Sequence, residues 1–324
     1  MRKHISWCFA LAAIVAIAVL LPITPVMAAD YPTKPLNYMV CFNPGGETDI
    51  TARIQEPVLK KYYKEGVVIS YKIGGGGSVG WAELVKAKPD GYTLAGDNLP
   101  HIILQPMLRG NAGYQTLDIK QVYIFESTPN ILVVRSDSPY KTLKDFIAAA
   151  KAKPGTLTLG GSGSSTANDL GSVMLNKAAG IKTVYIPFTG SGPVVPALLG
   201  GHVTGLMTYS TMAVQQREKF RPLAIMSEER MAVLPDVPTF KELGFDLVEG
   251  AYRGVAAPPG TPDDIVEKAA AIYEKVMQDP DVIKKMDENG FKIERMGPKA
   301  STELVKKRMV LYREMMLEMG LLKK

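Results

Sequence analysis

Glycines and residues with hydroxyl side chains recur in three short segments of this 324-residue chain. Segments of this composition can bind an anion. They are the first segment (residues 43–49), the second segment (160–166) and the third segment (188–193). Glycines permit tight turns and hydroxyls donate hydrogen bonds. The first turn of a helix adds free backbone N–H groups and the positive end of its dipole. A small carboxylate suits such segments, although an ordinary strand-to-helix turn has the same composition.

A predicted strand precedes each segment. The apolar run at 36–42 favours a buried strand before the first segment. After that segment, Ile50, Ile54, Val58 and Tyr62 recur every four residues, which predicts one face of a helix. Ligands of open α/β sheets bind beyond the carboxyl ends of the strands, so the recurrence favours a binding role.

The rest of the chain alternates between predicted strands and helices. Further strands are predicted at 67–73, 92–95, 121–126, 130–135, 157–160, 182–187, 203–208 and 221–226. Helices are predicted to start at Ser78, Thr142 and Thr261, with Asp145 as the capping-box partner of Thr142. Residues 279–324 are predicted to be helical. This alternation predicts an α/β architecture with mostly parallel sheets.

The N-terminal residues have the pattern of a secretory signal peptide. Arg2 and Lys3 precede an apolar run at 7–21, and small residues lie at 26–28. A transmembrane helix is the alternative, but the run is short for a span and Pro22 follows it at once. Residues 1–28 are therefore predicted to be a signal peptide, and the mature protein to be exported to a bacterial periplasm or to the cell exterior.

We expect N-terminal sequencing of the exported protein to begin at Ala29, because the small residues before it suit cleavage. The control is the unprocessed chain made without export. Recovery of residues 1–28 on the membrane-bound protein would contradict the prediction.

Composition argues against several functions. The formal charge of +6 falls to +4 once Arg2 and Lys3 are removed, and the basic residues are scattered, so no nucleic-acid partner is predicted. Cys41 is the one cysteine after residue 28 and is predicted to lie in the core. With no cluster of cysteine and histidine, neither a metal nor a cofactor is predicted.

An enzyme is the main alternative class. The second segment contains serines, but Gly160 to Ser164 ends in serine and lacks the last glycine of a nucleophile elbow. His101 and His202 lie in no recognisable catalytic signature. The glycine run at 74–77 lacks the lysine of a phosphate-binding loop. The chain is therefore not predicted to be an enzyme.

Several short motifs follow one another along nearly the whole mature chain: Tyr-Pro-Thr-Lys-Pro at 31–35, Phe-Asn-Pro-Gly-Gly at 42–46 with Asp49, Lys-Pro-Asp-Gly-Tyr-Thr-Leu at 88–94, Lys-Pro-Gly at 153–155, Gly-Ser-Gly-Ser-Ser at 161–165, Ile-Pro-Phe-Thr-Gly at 186–190, Leu-Gly-Gly at 199–201, Leu-Pro-Asp-Val-Pro-Thr at 234–239 and Ala-Pro-Pro-Gly-Thr-Pro at 257–262. In this order and together, they resemble the exported receptors of tripartite tricarboxylate transporters, the TctC or Bug-type solute-binding family.

The resemblance implies an α/β, two-lobed type II periplasmic-binding-protein fold with a central ligand cleft. Lobe 1 would combine 29–129 with 250–324, and lobe 2 would be 130–249. A monomer would bind a small organic acid, amino acid or neutral polar ligand and deliver it to membrane transporter subunits. A sensory protein that presents the ligand to a membrane kinase is the alternative. The implied ligand-binding residues are Phe42, Asn43, Pro44, Gly45, Gly46, Glu47, Thr48, Asp49, Asn98, Ser162, Gly163, Ser164, Ser165, Thr166, Phe188, Thr189, Gly190 and Tyr209.

Glu47 and Asp169 depart from the family, which usually has a small residue and a histidine there. If Glu47 faces the cleft, it repels a second carboxylate, and Asp49 adds to the same bias. A monocarboxylate, amino acid or neutral polar ligand is then expected instead of citrate. The alternative is that Glu47 stabilises the helix start and points to solvent. Asp169 is predicted to be a solvated acid at a helix start.

Overall fold

The computed structural model describes residues 31–322, so the predicted signal peptide and its cleavage site lie outside the described residues. The strands are β1 Leu36–Val40, β2 Val67–Tyr71, β3 Thr93–Leu99, β4 Lys120–Arg135, β5 Thr158–Gly161, β6 Val184–Pro187, β7 Gly205–Tyr209, β8 Phe220–Ile225, β9 Gly250–Ala257 and β10 Lys292–Met296. The α-helices are α1 Glu47–Tyr62, α2 Ser78–Leu84, α3 His101–Arg109, α4 Leu143–Ala152, α5 Ala167–Ala179, α6 Val194–Leu199, α7 Ser210–Gln215, α8 Asp263–Val276, α9 Pro280–Glu288 and α10 Pro298–Glu318. No helix in this part of the chain is long and apolar enough to cross a membrane.

The sheet is mixed, and its strand order is β2-β1-β3-β9-β4-β7-β5-β6. The first strand group, β2-β1-β3, and the second strand group, β7-β5-β6, are each parallel. Between them, β9 and β4 run antiparallel to each other and to their neighbours. The prediction of mostly parallel sheets is therefore wrong, because β9 enters from the far end of the chain and local patterns do not encode its direction.

Strand β4 links the two groups. Its first half pairs with β9 and β10, and its second half, from Asn130 onward, pairs with β7 and β8. Two separate strands, at 121–126 and 130–135, were predicted here. Pro129 lies between them and lacks the N–H that a ladder needs. Pro129 instead lies opposite Gly250, where a Cβ would come within 2.7 Å of the proline Cα. The bare glycine backbone lets the strand continue past the proline.

Helix α1 buries a more polar face than predicted. Of the expected stripe, only Val58 is buried, while Ile50 and Ile54 are half-buried. The buried face includes Thr51 and Gln55, whose amide lies 3.7 Å from a methionine sulfur. Tertiary contacts rather than apolar periodicity therefore decide which face of this helix turns inward.

The C-terminal region is not continuously helical. Strand β10 interrupts it between α9 and α10 and pairs antiparallel with β4, so the prediction for 279–324 is wrong in the middle. Gly290 has a φ of +77°, which ends α9 where a side chain would be strained.

Other local predictions are confirmed or corrected. Thr142 and Asp145 form the predicted capping box. The N-cap position of α8 is Pro262, and the Thr261 hydroxyl donates to the Pro258 carbonyl instead of capping. Cys41 is buried in the core, as predicted.

Candidate functional site

A small cavity, here called the central cavity, lies where loops of the two strand groups meet. It forms at the carboxyl ends of β1, β3, β5 and β7, as expected for open α/β sheets. Its volume is about 10 Å³, room for about one water molecule. A larger ligand would therefore have to separate the loops that meet there. The lining residues are Phe42, Glu47, Thr48, Asn98, His101, Ser162, Ser191, Tyr209 and Arg253.

The first segment forms a tight loop that caps α1. The Gly45 N–H donates to Asp49 Oδ2 at 2.8 Å, and the Gly46 N–H donates to the Asn43 carbonyl at 3.3 Å. Gly45 has a φ of +76°, which favours glycine. Both N–H groups predicted to hold a ligand carboxylate therefore bond within the loop in this conformation.

Asp49 shapes this loop. Besides Gly45, its carboxylate accepts hydrogen bonds from the Tyr71 hydroxyl at 2.6 Å and from Arg53 Nε at 3.0 Å. The side chain does not line the central cavity. In this conformation Asp49 therefore directs its oxygens to the loop and to these neighbours, and not to the central cavity.

Glu47 faces the central cavity with 1% of its surface exposed, so the alternative of an acid pointing to solvent is wrong. Its Oε2 atom pairs with Arg253 Nη2 and accepts a hydrogen bond from the Thr128 hydroxyl at 3.3 Å. Its Oε1 atom accepts a hydrogen bond from the Thr211 hydroxyl. Since Thr211 follows β7, this last bond joins the two strand groups.

Arg253 is the centre of a buried ionic cluster. Only 2% of its surface is exposed. Its Nη1 atom donates to the Thr128 hydroxyl at 2.6 Å and lies 3.6 Å from Glu126 Oε1. The Tyr209 ring centroid lies 4.5 Å from the guanidinium carbon. One guanidinium thus serves two buried carboxyl groups.

Burial controls how these groups ionise. It raises the pKa of Glu126 well above its ordinary value, against the opposing effect of Arg253. Burial likewise raises the pKa of Glu47, opposed by Arg253 and by the two threonine hydroxyls. Burial lowers the pKa of His101 well below its usual range, so the imidazole is neutral. One guanidinium therefore opposes the effect of burial on both carboxyl groups.

Asp97, next to the cavity residue Asn98, is also fully buried. That burial raises the pKa of its carboxyl to about 7. Below that pH, the Asp97 carboxyl is therefore mostly uncharged.

The second segment is built like the first. Thr166 caps α5, and Asp169 Oδ2 accepts from the Ser165 N–H at 2.8 Å, as Asp49 does from Gly45. The prediction that Asp169 is a solvated acid is wrong, since it is half-buried and bound to its loop. Burial raises its pKa. Ser162 is buried and lines the cavity.

Polar contacts join the two sides of the cavity. His101 Nε2 lies 3.0 Å from the Tyr209 hydroxyl, which lies 3.3 Å from Ser162 Oγ. The Glu47 N–H donates to Ser191 Oγ at 3.4 Å. Because the tyrosine hydroxyl stands between Ser162 and His101, the serine is not paired directly with a general base.

The structure brings only part of the predicted site to the cavity. Six predicted residues line it: Phe42, Glu47, Thr48, Asn98, Ser162 and Tyr209. The others support the loops or lie beside the cavity: Asn43, Pro44, Gly45, Gly46, Asp49, Gly163, Ser164, Ser165, Thr166, Phe188, Thr189 and Gly190. Their role in binding stays a prediction.

Three lining residues were missed: His101, Ser191 and Arg253. Ser191 lies inside the third segment, and His101 follows β3, so both stood close to predicted positions. Arg253 could have been noticed in the sequence, because it is the one charged residue in the stretch 250–257.

The cavity lies between two strand groups, at the carboxyl ends of their strands and beside β4 and β9, which connect the groups. This arrangement is typical of two-lobed binding proteins. The protein has the two-lobed type II periplasmic-binding-protein fold with a central ligand cleft. It belongs to the tripartite tricarboxylate transporter family receptors, whose family model matches residues 51–321.

Relatives and solved structures agree with this family. A UPF0065 protein in the gbd 5′ region of Cupriavidus necator is 34% identical over 254 residues, covering 78% of this chain and 77% of its own. The periplasmic binding protein BugD is 29% identical with a TM-score of 0.86, covering 91% of this chain and 100% of that chain. MatC from Rhodopseudomonas palustris, solved with bound malate, is 27% identical with a TM-score of 0.83, covering 88% and 99%.

Proposed function

We propose that this protein is an exported, non-enzymatic solute-binding protein. It captures a small carboxylate-bearing ligand between two lobes and delivers it to a tripartite tricarboxylate-type membrane transporter. The observation that carries the proposal is the central cavity, where polar residues of both strand groups meet at the strand ends. Family membership and the malate bound to MatC support a transport role and an organic-acid ligand.

The proposed lobes are residues 29–129 with 250–324 and residues 130–249. Strand pairing supports this division, since β4 changes partners at Pro129 and Asn130. Strand β9 begins at Gly250, opposite Pro129. These two crossing points would form the hinge about which the lobes open and close.

A thermal-shift screen tests the proposed function. The panel contains monocarboxylates, dicarboxylates, tricarboxylates, amino acids and neutral polar compounds. We expect at least one carboxylate-bearing compound to raise the melting temperature, because a ligand at 100 times its Kd stabilises the folded state by about 2.7 kcal/mol. Mass spectrometry should recover it unchanged. A panel without a stabilising compound, or a ligand recovered as a product, would refute the proposal.

Ligand binding is also expected to close the lobes. Trp81 is fully buried, donates from Nε1 to the Gly96 carbonyl at 2.9 Å, and has its ring 6.2 Å from that of the cavity residue Phe42. We therefore expect the best compound of the screen to change Trp81 fluorescence and to decrease the radius of gyration in solution scattering. The same scattering should give the mass of a monomer.

A compound from the panel without thermal effect serves as the control for this measurement. Identical scattering curves with and without saturating ligand would contradict hinge closure, even if binding itself were confirmed.

A further inference from the structure

The charges of the central cavity are already paired with each other. Among the described residues that line it, the charged ones are Glu47 and Arg253, and they form an ion pair. Arg253 also donates to Thr128, and the Tyr209 ring covers it at 4.5 Å. The guanidinium, which could otherwise attract a ligand carboxylate, is therefore neutralised within the protein.

A second acid lies behind this pair. Glu126 is fully buried, with Oε1 at 3.6 Å from Arg253 Nη1. The cluster thus contains two carboxyl groups and one guanidinium. An anionic ligand group placed here would add a third acid to one base, whereas a cationic group would balance the second acid. The cluster is therefore better suited to a positive group of a ligand than to a negative one.

One oxygen of Glu47 can be reached by a ligand. Oε2 is held by Arg253 and Thr128, which lie on β9 and β4 beside Glu47. Oε1 is held by Thr211, which belongs to α7 of the second strand group. Opening the cleft would withdraw Thr211 and leave Oε1 free to accept a hydrogen bond. A donor group of the ligand would then occupy the position that the threonine hydroxyl holds here.

The second strand group offers a place for an anion. Ser162 lines the cavity close to the N-terminus of α5, a 13-residue helix. Among the described residues, its Oγ atom makes two long contacts, 3.3 Å to the Tyr209 hydroxyl and 3.4 Å to the Thr166 hydroxyl. A ligand carboxylate could accept a stronger hydrogen bond from this hydroxyl, and the helix dipole favours negative charge there.

We propose that the ligand is zwitterionic, with an ammonium group on Glu47 Oε1 and a carboxylate near Ser162, so that Glu47 selects amino acids over di- and tricarboxylates. This inference rests on the proposed solute-binding function and specifies its ligand class. The Glu47–Arg253 pair then determines ligand specificity. Arg253 keeps Glu47 charged and oriented, and Glu47 prevents Arg253 from attracting a second carboxylate of the ligand.

Calorimetry on the wild-type protein tests the ligand class. The panel pairs ω-amino acids with dicarboxylic acids of the same chain length, and adds the common L-α-amino acids and citrate. We expect the tightest ligand to be an amino acid that binds at least about tenfold more tightly than any di- or tricarboxylate, as a charge-assisted hydrogen bond would give. A di- or tricarboxylate that binds most tightly would overturn the inference and leave the proposed function intact. Failure of every organic acid to bind would overturn both.

The variant Glu47→Gln tests the residue. It keeps the shape of the side chain and removes its charge, so the affinity for the best amino acid should fall at least about tenfold while that for dicarboxylates rises. The matched control is Glu56→Gln on the same helix, a partly exposed acid that is paired with Lys60 and does not line the central cavity, and it should leave both affinities unchanged. Equal affinities in wild type and a folded Glu47→Gln protein would overturn the assignment. If the variant does not fold, the wild-type ranking decides alone.

Discussion

Replacing Gly46 by valine is expected to abolish most ligand binding in a protein that still folds. Gly46 has a φ of −82° and a ψ of 168°, which valine adopts without strain. A Cβ at this position would lie 3.1 Å from Ser191 Oγ and 3.2 Å from the Asn43 carbonyl oxygen, and valine adds two methyl groups. Overpacking of this kind costs about 1–3 kcal/mol. Because it falls where the first and third segments meet, it opposes closure around the ligand and should lower the affinity by roughly fivefold to 150-fold. Calorimetry with the best ligand measures it.

The matched control is Gly297→Val. Gly297 also precedes a helix in an extended conformation, with a φ of −68°, but a Cβ there meets nothing within 4 Å. It should bind ligand like the wild type. Circular dichroism and thermal unfolding establish that both variants fold. Normal binding by folded Gly46→Val would place the ligand away from the junction of the first and third segments.

Replacing Arg253 by methionine is expected to destabilise the fold by about 3–5 kcal/mol, because it leaves buried carboxyl groups without their counter-charge. Glu47 and Glu126 are both buried and have Arg253 as their cationic partner. Urea unfolding followed by circular dichroism gives the free energy of unfolding. The loss should be smaller at low pH, where both carboxyl groups take up protons, since burial raises the pKa of each.

Two further variants separate the buried cluster from ordinary ion pairs. Arg135→Met breaks the exposed pair with Asp137, which should change stability far less than Arg253→Met does, because solvent screens a surface ion pair. The double variant Arg253→Met with Glu47→Gln should recover part of the loss, because it removes one uncompensated carboxylate. If Arg253→Met costs no more than Arg135→Met, the cluster does not stabilise the fold.

The sequence alone was sufficient to predict the local structure around the site. The apolar run before the first segment, the glycines that follow and the N-terminus of the next helix were all predicted correctly, as was the repetition of this design in the second segment. The Thr142 cap and the buried Cys41 were predicted as well. These features depend on residues within about one helical turn or one strand of each other, so their signals are local.

The order of the motifs along the chain was sufficient to predict the family. Each motif alone is weak, but together they indicated the solute-binding receptors that the family model then identified. With the family came the fold class and the cleft. They followed from resemblance, since the periodicity of the strands by itself predicted mostly parallel sheets.

The electrostatics of the site were decided by the tertiary structure alone. From the sequence, Glu47 was an unpaired acid that faced either the ligand or the solvent. Arg253 lies far along the chain on β9, and the antiparallel insertion of β9 between β3 and β4 places it against Glu47 and Glu126. The order in which strands join a sheet depends on the burial of whole faces, not on neighbouring residues. The sequence therefore identified the acid of the site, Glu47, while only the tertiary structure identified its cationic partner, Arg253.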